Sequence, residues 1–435
     1  MNFSKKNNLY KLAEKLFPIN RSINSPGNLK TLKIIKNYIS NLKIKYFKSG
    51  SKCYTWTIPN EWHVSEGYIA TVKGKKIIDF KKNNLHIVNY SQFVNKLLHF
   101  KDLKNHLYFL KSQPSAIPYI TSYYKKSWGF CLSYNAFKKL KKNLKYKVFI
   151  NSKFTKGKMH FGEVLLKGKS KKEILISTNI CHPSMGNNET SGMVVTTALT
   201  QWLNNLKKPN YSYRIIFIPE TVGSIAYIKN NLKNLQRNVI AGFVVVCVGN
   251  KKQTSFLPSR NGNTLADRAS KYVLNKYAKG YKEYSFLERG SDERQFCNHK
   301  VNLPVCSIMS SKYGEYQEYH TSLDDLKFIS AEGLERSLNL LKKTILVIEN
   351  NFTFKDNYKY PCEPMLSKYN LRDKLSFKQN YNQNKLISNI LLLCNGKRDM
   401  IEIANILKED LFKVCQISNN LEKAKLIKKI KSNIK

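Results

Sequence analysis

The chain has 435 residues, 42% of them hydrophobic, which is enough for two or three folded domains and excludes a disordered chain. It contains no run of about 18 apolar residues, so no membrane span is predicted. Its formal charge is +46, from 75 Lys and Arg against 29 Asp and Glu. The lysines are spread along the whole chain among Asn and Ile. That spread reads as a bias toward residues of A/T-rich codons, whereas a nucleic-acid footprint would cluster. The one terminal cluster is Lys423–Lys435. The nine cysteines form no CxxC pair, which argues against a zinc ribbon or a disulfide framework. The N-terminal stretch lacks the apolar segment and cleavage site of a signal peptide, so a cytoplasmic location is expected.

Residues Thr31–Leu42 read as an amphipathic helix. After Gly50 the pattern changes to short strands at Tyr54–Ile58, Gly67–Val72, Lys76–Phe80 and His86–Val88, broken by Pro59 and Gly74. This aromatic-rich block, 51–132, is predicted to be a β-rich insertion. Strands and helices then alternate. The strands are expected at Tyr146–Ile150, Glu173–Thr178, Tyr213–Ile218, Ile240–Val248 and Val305–Met309. The helices are expected at Met193–Leu206, Ser224–Leu235, Thr264–Tyr277 and Ala331–Glu349. Such alternation predicts an α/β core with a mostly parallel sheet covered on both faces. The core is therefore placed at 1–50 and 133–355. A Tyr/Pro/Lys-rich linker at 356–384 leads to helical patterns at Leu386–Cys394, Arg398–Leu407 and Asp410–Glu422, then a β-prone Leu426–Ile430. That order predicts a winged helix over 385–435.

The segment Ser177–Gly192, STNICHPSMGNNETSG, follows a buried apolar strand and hands over to a helix. Open α/β sheets build their sites at such strand ends. Ile215–Ser224, Gly290–Cys297 and Glu318–Leu326 suit the same place. Together they offer His182, Glu220, Asp292, Glu293 and His320. Zinc needs neutral imidazoles and carboxylates converging from separate loops, with one position left for water. An acid beside that water takes its proton. Asp292 and Glu220 could instead cap helices. Arg260, Asn261 and Asn263 lie between a strand and a helix, where an anionic group could be held or where Asn-Gly simply makes a turn. Tyr319 beside His320 is a candidate substrate contact. Tyr123, Tyr124 and Trp128 could stack on a sugar or peptide, or be core. Ser184 and Ser191 lack the GxSxG elbow of serine hydrolases. Cys181 and His182 are not expected to form a dyad, because neighbours on a strand point to opposite faces.

These motifs carry a resemblance. LFPINRS, WTIPNEW, AIPYITSYYKKSWGFCLS, ICHPSMGNNETSG, IPETVGSIAYI, LPSRNGNTLADR, GSDERQFC and YGEYQEYHTSLDD make the chain similar to a bacterial aminopeptidase-like family (DUF4910/DUF2172 type) that ends in a winged helix and occurs among surface-polysaccharide genes. The likeness covers nearly the whole length. The family resembles a branch of the zinc aminopeptidase clan that includes the M28 peptidases. The resemblance implies a phosphorylase/hydrolase-like α/β core and a metal site. The clan's first metal histidine matches His182 and its last matches His320. Its bridging aspartate falls on Asn188 and its general base on Glu220. A metal-binding glutamate is replaced by Thr221, and a strand-end aspartate falls near Cys247.

A pair of zinc ions about 3.5–4 Å apart needs a bridging carboxylate, and Asn188 offers only an amide oxygen. One zinc ion is therefore expected, held by His182, His320 and either Glu220 or Asp292. Glu220, Asp292 or Glu293 is left as the base. Two functions from different classes fit this inventory. One is a metal-dependent hydrolase of an amide bond in a short peptide or an N-acylated amino sugar. The other is a catalytically inactive sugar- or protein-binding module. The winged helix is expected to pack on the core or on a second copy, and sequence-specific nucleic-acid binding is not expected. Its helix Asp410–Glu422 offers Lys413, Gln416, Asn419 and Asn420, but also Asp410 and Glu422.

Overall fold

The computed structural model describes residues 6–371 and 378–430. The end of the basic cluster expected at 423–435, and six residues of the expected linker, lie outside the described residues. The chain divides into two compact units, Met1–Asp267 with Ala278–Leu341, and Arg268–Tyr277 with Lys342–Lys435. Among the described residues no helix is long and apolar enough to cross a membrane.

The larger unit is built on an eight-stranded sheet. Its centre is four parallel strands in the order Ser212–Ile218, Glu173–Asn179, Val239–Val244 and Val305–Met309. These read as near-continuous apolar runs because helices bury both faces. Val239–Val244, for example, is buried at every position. The helices Ser191–Asn204 and Val222–Asn238 follow the first two of these strands in sequence. The chain leaves Glu173–Asn179, pairs next on one side of it, then crosses to pair on the other. That reversal is the switch point at which open α/β sheets place their sites. Lys43–Lys48 and Lys158–Leu166 extend one edge in antiparallel fashion.

A second, four-stranded antiparallel sheet runs Lys76–Asp79, Glu61–Thr71, Lys145–Thr155 and Val94–His99. Here the structure departs from the sequence reading. The strand at 145–155, expected to open the α/β core, belongs to this smaller sheet, so the β-rich block does not stop at 132. The reason lies in its pattern. Tyr146, Val148, Ile150 and Ser152 are buried, while Lys145, Lys147, Asn151 and Lys153 are exposed. One-sided alternation suits a half-solvated antiparallel sheet, not a central parallel strand. The strand expected at His86–Val88 is a single helical turn over Asn84–His86, capped by the Asn83 side chain.

The smaller unit has a three-stranded antiparallel sheet, Asn395–Asp399, Thr353–Asp356 and Ile427–Ile430, with helices Lys378–Leu393, Met400–Leu407 and Leu411–Lys423. The strand Thr353–Asp356 belongs to this unit, which therefore reaches back past the expected linker; its first helix starts at Lys378, inside that linker. Two aspartates set the next two helices. Asp399 accepts from Glu402 N, and Asp410 accepts from Phe412 N and Lys413 N. Arg268 and Lys276 pair with the same two carboxylates.

Arg214, on the strand Ser212–Ile218, is the buried cation of the main sheet. It donates to Glu173 at 2.6 and 3.0 Å, to Tyr227 Oη at 2.8 Å and to Glu163 at 3.3 Å. Lys45 also pairs with Glu163. Burial alone would raise the Glu163 carboxyl, but Lys45, Tyr227 and Arg214 hold it below the ordinary value. Its contribution to stability is therefore present above pH about 4.5 and is lost as pH falls through the lowered value. Arg214→Met should cost about 3–5 kcal/mol, because it removes the cation that Glu173 pairs with and one of the two that the buried Glu163 pairs with. Urea unfolding at pH 7 measures this, and a loss under about 1 kcal/mol would contradict the account.

Candidate active site

Three segments meet beyond the carboxyl end of Glu173–Asn179. The first carries His182 and then one wide helical turn, Gly186–Thr190. Asp324 fixes that turn from the opposite loop. Its carboxylate accepts Asn187 N at 2.5 Å, Asn188 N at 3.0 Å and the Tyr316 hydroxyl at 3.0 Å. A side chain at Gly186 would strike the Asp325 carbonyl at 2.3 Å, so only glycine allows this approach. The turn aims Glu189 back at His182. Glu189 accepts from His182 N at 3.0 Å, and its other oxygen lies 2.6 Å from His182 Nδ1. Glu189 is 1% exposed. Arg21 is fully buried behind this pair; its Nε donates to the His182 carbonyl at 3.0 Å and Nη1 to Leu16 O at 2.6 Å. Burial lowers Arg21 to about 10, and the Glu189 charge opposes that fall.

With Nδ1 engaged, His182 turns Nε2 toward Glu220, 3.7 Å from its Oε2. The other Glu220 oxygen accepts from Ser291 Oγ at 2.6 Å and Asn179 Nδ2 at 3.0 Å. Burial raises the Glu220 carboxyl, with His182 opposing. His320 completes the group. Its ring centroid is 5.3 Å from that of His182, and it stacks on Tyr319 at 3.9 Å. Tyr119 packs against both histidine rings, at 5.4 and 5.2 Å. Burial and the neighbouring His182 lower His320 to about 3, so its imidazole is neutral, and its buried Nε2 has no hydrogen-bond partner. Burial pushes His182 down, but Cys181 and Glu189 outweigh it and the net shift is upward. Cys181 is itself held at about 12 by burial and Glu189.

The structure thus brings His182, Glu220, His320 and Tyr319 into one group. They are neighbours and not a closed ligand set. Among the described residues, the one group of three His, Cys, Asp or Glu ligand atoms mutually within 4.8 Å is Cys181, His182 and Glu189. Asn188 is 8% exposed; its Nδ2 reaches Cys247 Sγ at 3.7 Å, and its buried Oδ1 has no partner. Asp292 supports the N-terminus of a helix, though not its own. Its Oδ1 accepts Thr221 N at 2.7 Å and Ser224 Oγ at 2.8 Å at the start of Val222–Asn238. Burial and Glu220 raise it to about 8. Glu293 Oε1 accepts Gly290 N and Ser291 N at 2.8 and 2.9 Å, and so shapes the loop that presents Ser291 to Glu220. Arg260, Asn261 and Asn263 form an exposed turn closed by Gly262 at φ +71°. Arg260 there donates to Asn302 at 2.7 Å, so turn chemistry accounts for the segment.

Cys181 does contact His182, with Sγ 3.7 Å from Nδ1. The alternation argument fails because the strand ends at Asn179. The sequence reading also passed over Glu189, Arg21, Asp324, Asn179 and Ser291. Glu189 stands inside the GNNETSG motif and Arg21 inside LFPINRS, so each lay within a quoted motif without being given a role.

Residues 10–351 match the family described as domain of unknown function DUF4910, and residues 354–429 match a winged helix-turn-helix family. A Clostridium acetobutylicum protein, provisionally named for polysaccharide biosynthesis with an aminopeptidase-like domain, is 38% identical over 397 residues, 91% of this chain and 90% of that one. The crystal structure of a provisionally named peptidase from the same organism superposes with a TM-score of 0.91 at 36% identity, covering 98% of each chain. A zinc aminopeptidase from Bacillus subtilis shares the fold, with a TM-score of 0.56 at 13% identity, over 78% of this chain and 94% of that one. The chain belongs to the DUF4910 family, with an aminopeptidase-like α/β core and a C-terminal winged helix.

Proposed function

We propose that the chain is a hydrolase of an amide bond that works with one zinc ion. The observation that carries this reading is a pair of neighbouring imidazoles with a carboxylate facing one of them. His182 Nε2 faces Glu220, and His320 Nε2 is buried without a partner. A buried polar atom without a partner is costly, and a cation shared by the two rings would satisfy it.

The donor set fits a single metal. His182 and His320 would hold it through imidazole nitrogens, with the unpartnered Asn188 Oδ1 as third donor. Glu189 on the far side of His182 is the carboxylate that orients a metal-bound imidazole and raises its basicity. A second ion lacks ligands. Asn188 carries no charge to bridge with, Thr221 stands in for a carboxylate, and burial keeps the Cys247 thiol protonated. When bound, a zinc ion polarises the amide carbonyl and makes a coordinated water acidic near neutral pH.

Glu220 is the base in this reading. Its Oε1 is pinned by Asn179 and Ser291, which leaves Oε2 facing His182. It takes the proton from the attacking water and returns it to the leaving nitrogen. Tyr119 and Tyr319 wall the histidines and limit water. The bond cleaved is the N-terminal bond of a short peptide or the N-acyl or aminoacyl bond of an amino sugar. The polysaccharide-biosynthesis name of the Clostridium relative supports the second.

Glu220→Gln should retain the metal and lower turnover about 10²–10⁴-fold. Elemental analysis beside hydrolysis of a panel of N-acylated amino sugars and dipeptides checks both halves. Loss of metal would make Glu220 a ligand, and unchanged turnover would remove it from the reaction. Glu189→Gln should weaken zinc affinity about 10–100-fold with the first coordination shell intact. Competition against a zinc chelator measures this, and unchanged affinity would count against the assigned support role.

A further inference from the structure

The smaller sheet of the larger unit carries a cleft that the hydrolytic reading does not use. Its volume is about 390 Å³, within the about 300–1,000 Å³ of small-molecule pockets. Tyr123, Tyr124 and Phe154 wall it, Gln92 and Asn60 add side-chain amides, and Lys125 and Lys126 stand at its mouth. No acidic residue lines it. Tyr124 and Phe154 are exposed aromatics, 56% and 38% accessible. The Tyr124 ring is nevertheless held in place, because its hydroxyl donates to the Thr57 carbonyl at 2.7 Å and Trp56 packs 6.2 Å away. The buried Tyr90 ring supports both Tyr123 and Phe154 from beneath, at 5.2 and 5.6 Å.

The cleft connects to the histidines through two side chains. Tyr123 is its inner wall, and the Tyr123 hydroxyl lies 3.0 Å from the Tyr119 hydroxyl. Tyr119 in turn packs on His182 and His320. Two tyrosine side chains in series, Tyr123 and Tyr119, therefore separate a molecule seated in the cleft from the histidines.

We propose that this cleft binds a hexuronic acid unit of the substrate, at a subsite that Tyr123 and Tyr119 separate from the histidines. This names the substrate class of the proposed function and rests on that reading. A pyranose ring presents a C–H face that packs on aromatic rings and a rim of hydroxyls that needs amides and other polar groups. The two ammonium groups at the mouth, with no carboxylate opposing them, select a sugar that carries an anion. Four aromatic rings, Tyr90, Tyr123, Tyr124 and Phe154, line the cleft, against one aliphatic side chain, Ile58, and Pro59.

The test uses the full chain and saturation-transfer NMR titrations with methyl glucuronide, methyl glucoside and hexanoate. Glucuronide should bind about tenfold or more tightly than glucoside. Tyr124→Ala should weaken it about tenfold, and the double change Lys125→Gln with Lys126→Gln should bring it to the glucoside level. His320→Ala should leave it unchanged. No binding of glucuronide, equal binding of the two glycosides, indifference to both sets of variants, or preference for hexanoate would each overturn the proposal. The two readings fail separately. Glucuronide binding without hydrolysis of any glucuronate-linked amide refutes the metal reading, and hydrolysis without glucuronide binding refutes the cleft.

Discussion

A carboxylate buried against an imidazole sets the conditions for everything around His182. Placing the Glu189 charge away from water costs several kcal/mol unless it is paired and hydrogen-bonded. His182 meets that demand with a backbone N–H and Nδ1, and the buried Arg21 adds a positive charge nearby without a hydrogen bond to Glu189 among those described. Arg21 also donates to the His182 and Leu16 carbonyls, which ties the N-terminal segment to the loop after the strand Glu173–Asn179. The same pairing leaves His182 Nε2 as the nitrogen that faces Glu220. The same contacts therefore fix the loop, the ring orientation and the nitrogen that faces Glu220.

The second feature is an asymmetry. On the resemblance to the zinc aminopeptidase clan, the positions expected to carry anionic ligands of a two-metal site hold Asn188, Thr221 and Cys247, while both histidines and Glu220 are present. The backbone at this centre is unusual. Thr221, Cys247 and His320 have φ values of 61°, 56° and 53°. Left-handed backbone at residues other than glycine costs on the order of 1–3 kcal/mol each, and such residues concentrate at functional sites. The strained frame persists at Thr221 and Cys247 although neither side chain is an ionised ligand. In the proposed reading, a frame with those three carboxylates replaced suits one ion.

Much of the fold was legible because its signals are local. Continuous apolar runs mark the central parallel strands, and Asp399 and Asp410 mark the starts of winged-helix elements. The strand at 145–155 was misplaced because position in the alternating series was weighed above its own period-two burial. The site was partly legible for a related reason. His182, Glu220 and His320 stand at strand ends and in recognisable motifs. Glu189 and Arg21 act from positions 7 and 161 residues from His182, and their roles follow only from burial and pairing. The contact between Cys181 and His182 was excluded by a strand rule that stops applying one residue past Asn179.

The central claim is one metal between two histidines, and X-ray absorption at the zinc edge of the zinc-loaded full-length protein tests it most directly. The account predicts one zinc per chain, two imidazole ligands at about 2.0–2.1 Å, and no metal–metal scattering. A second zinc at about 3.5–4 Å, or a first shell without imidazole, would contradict it.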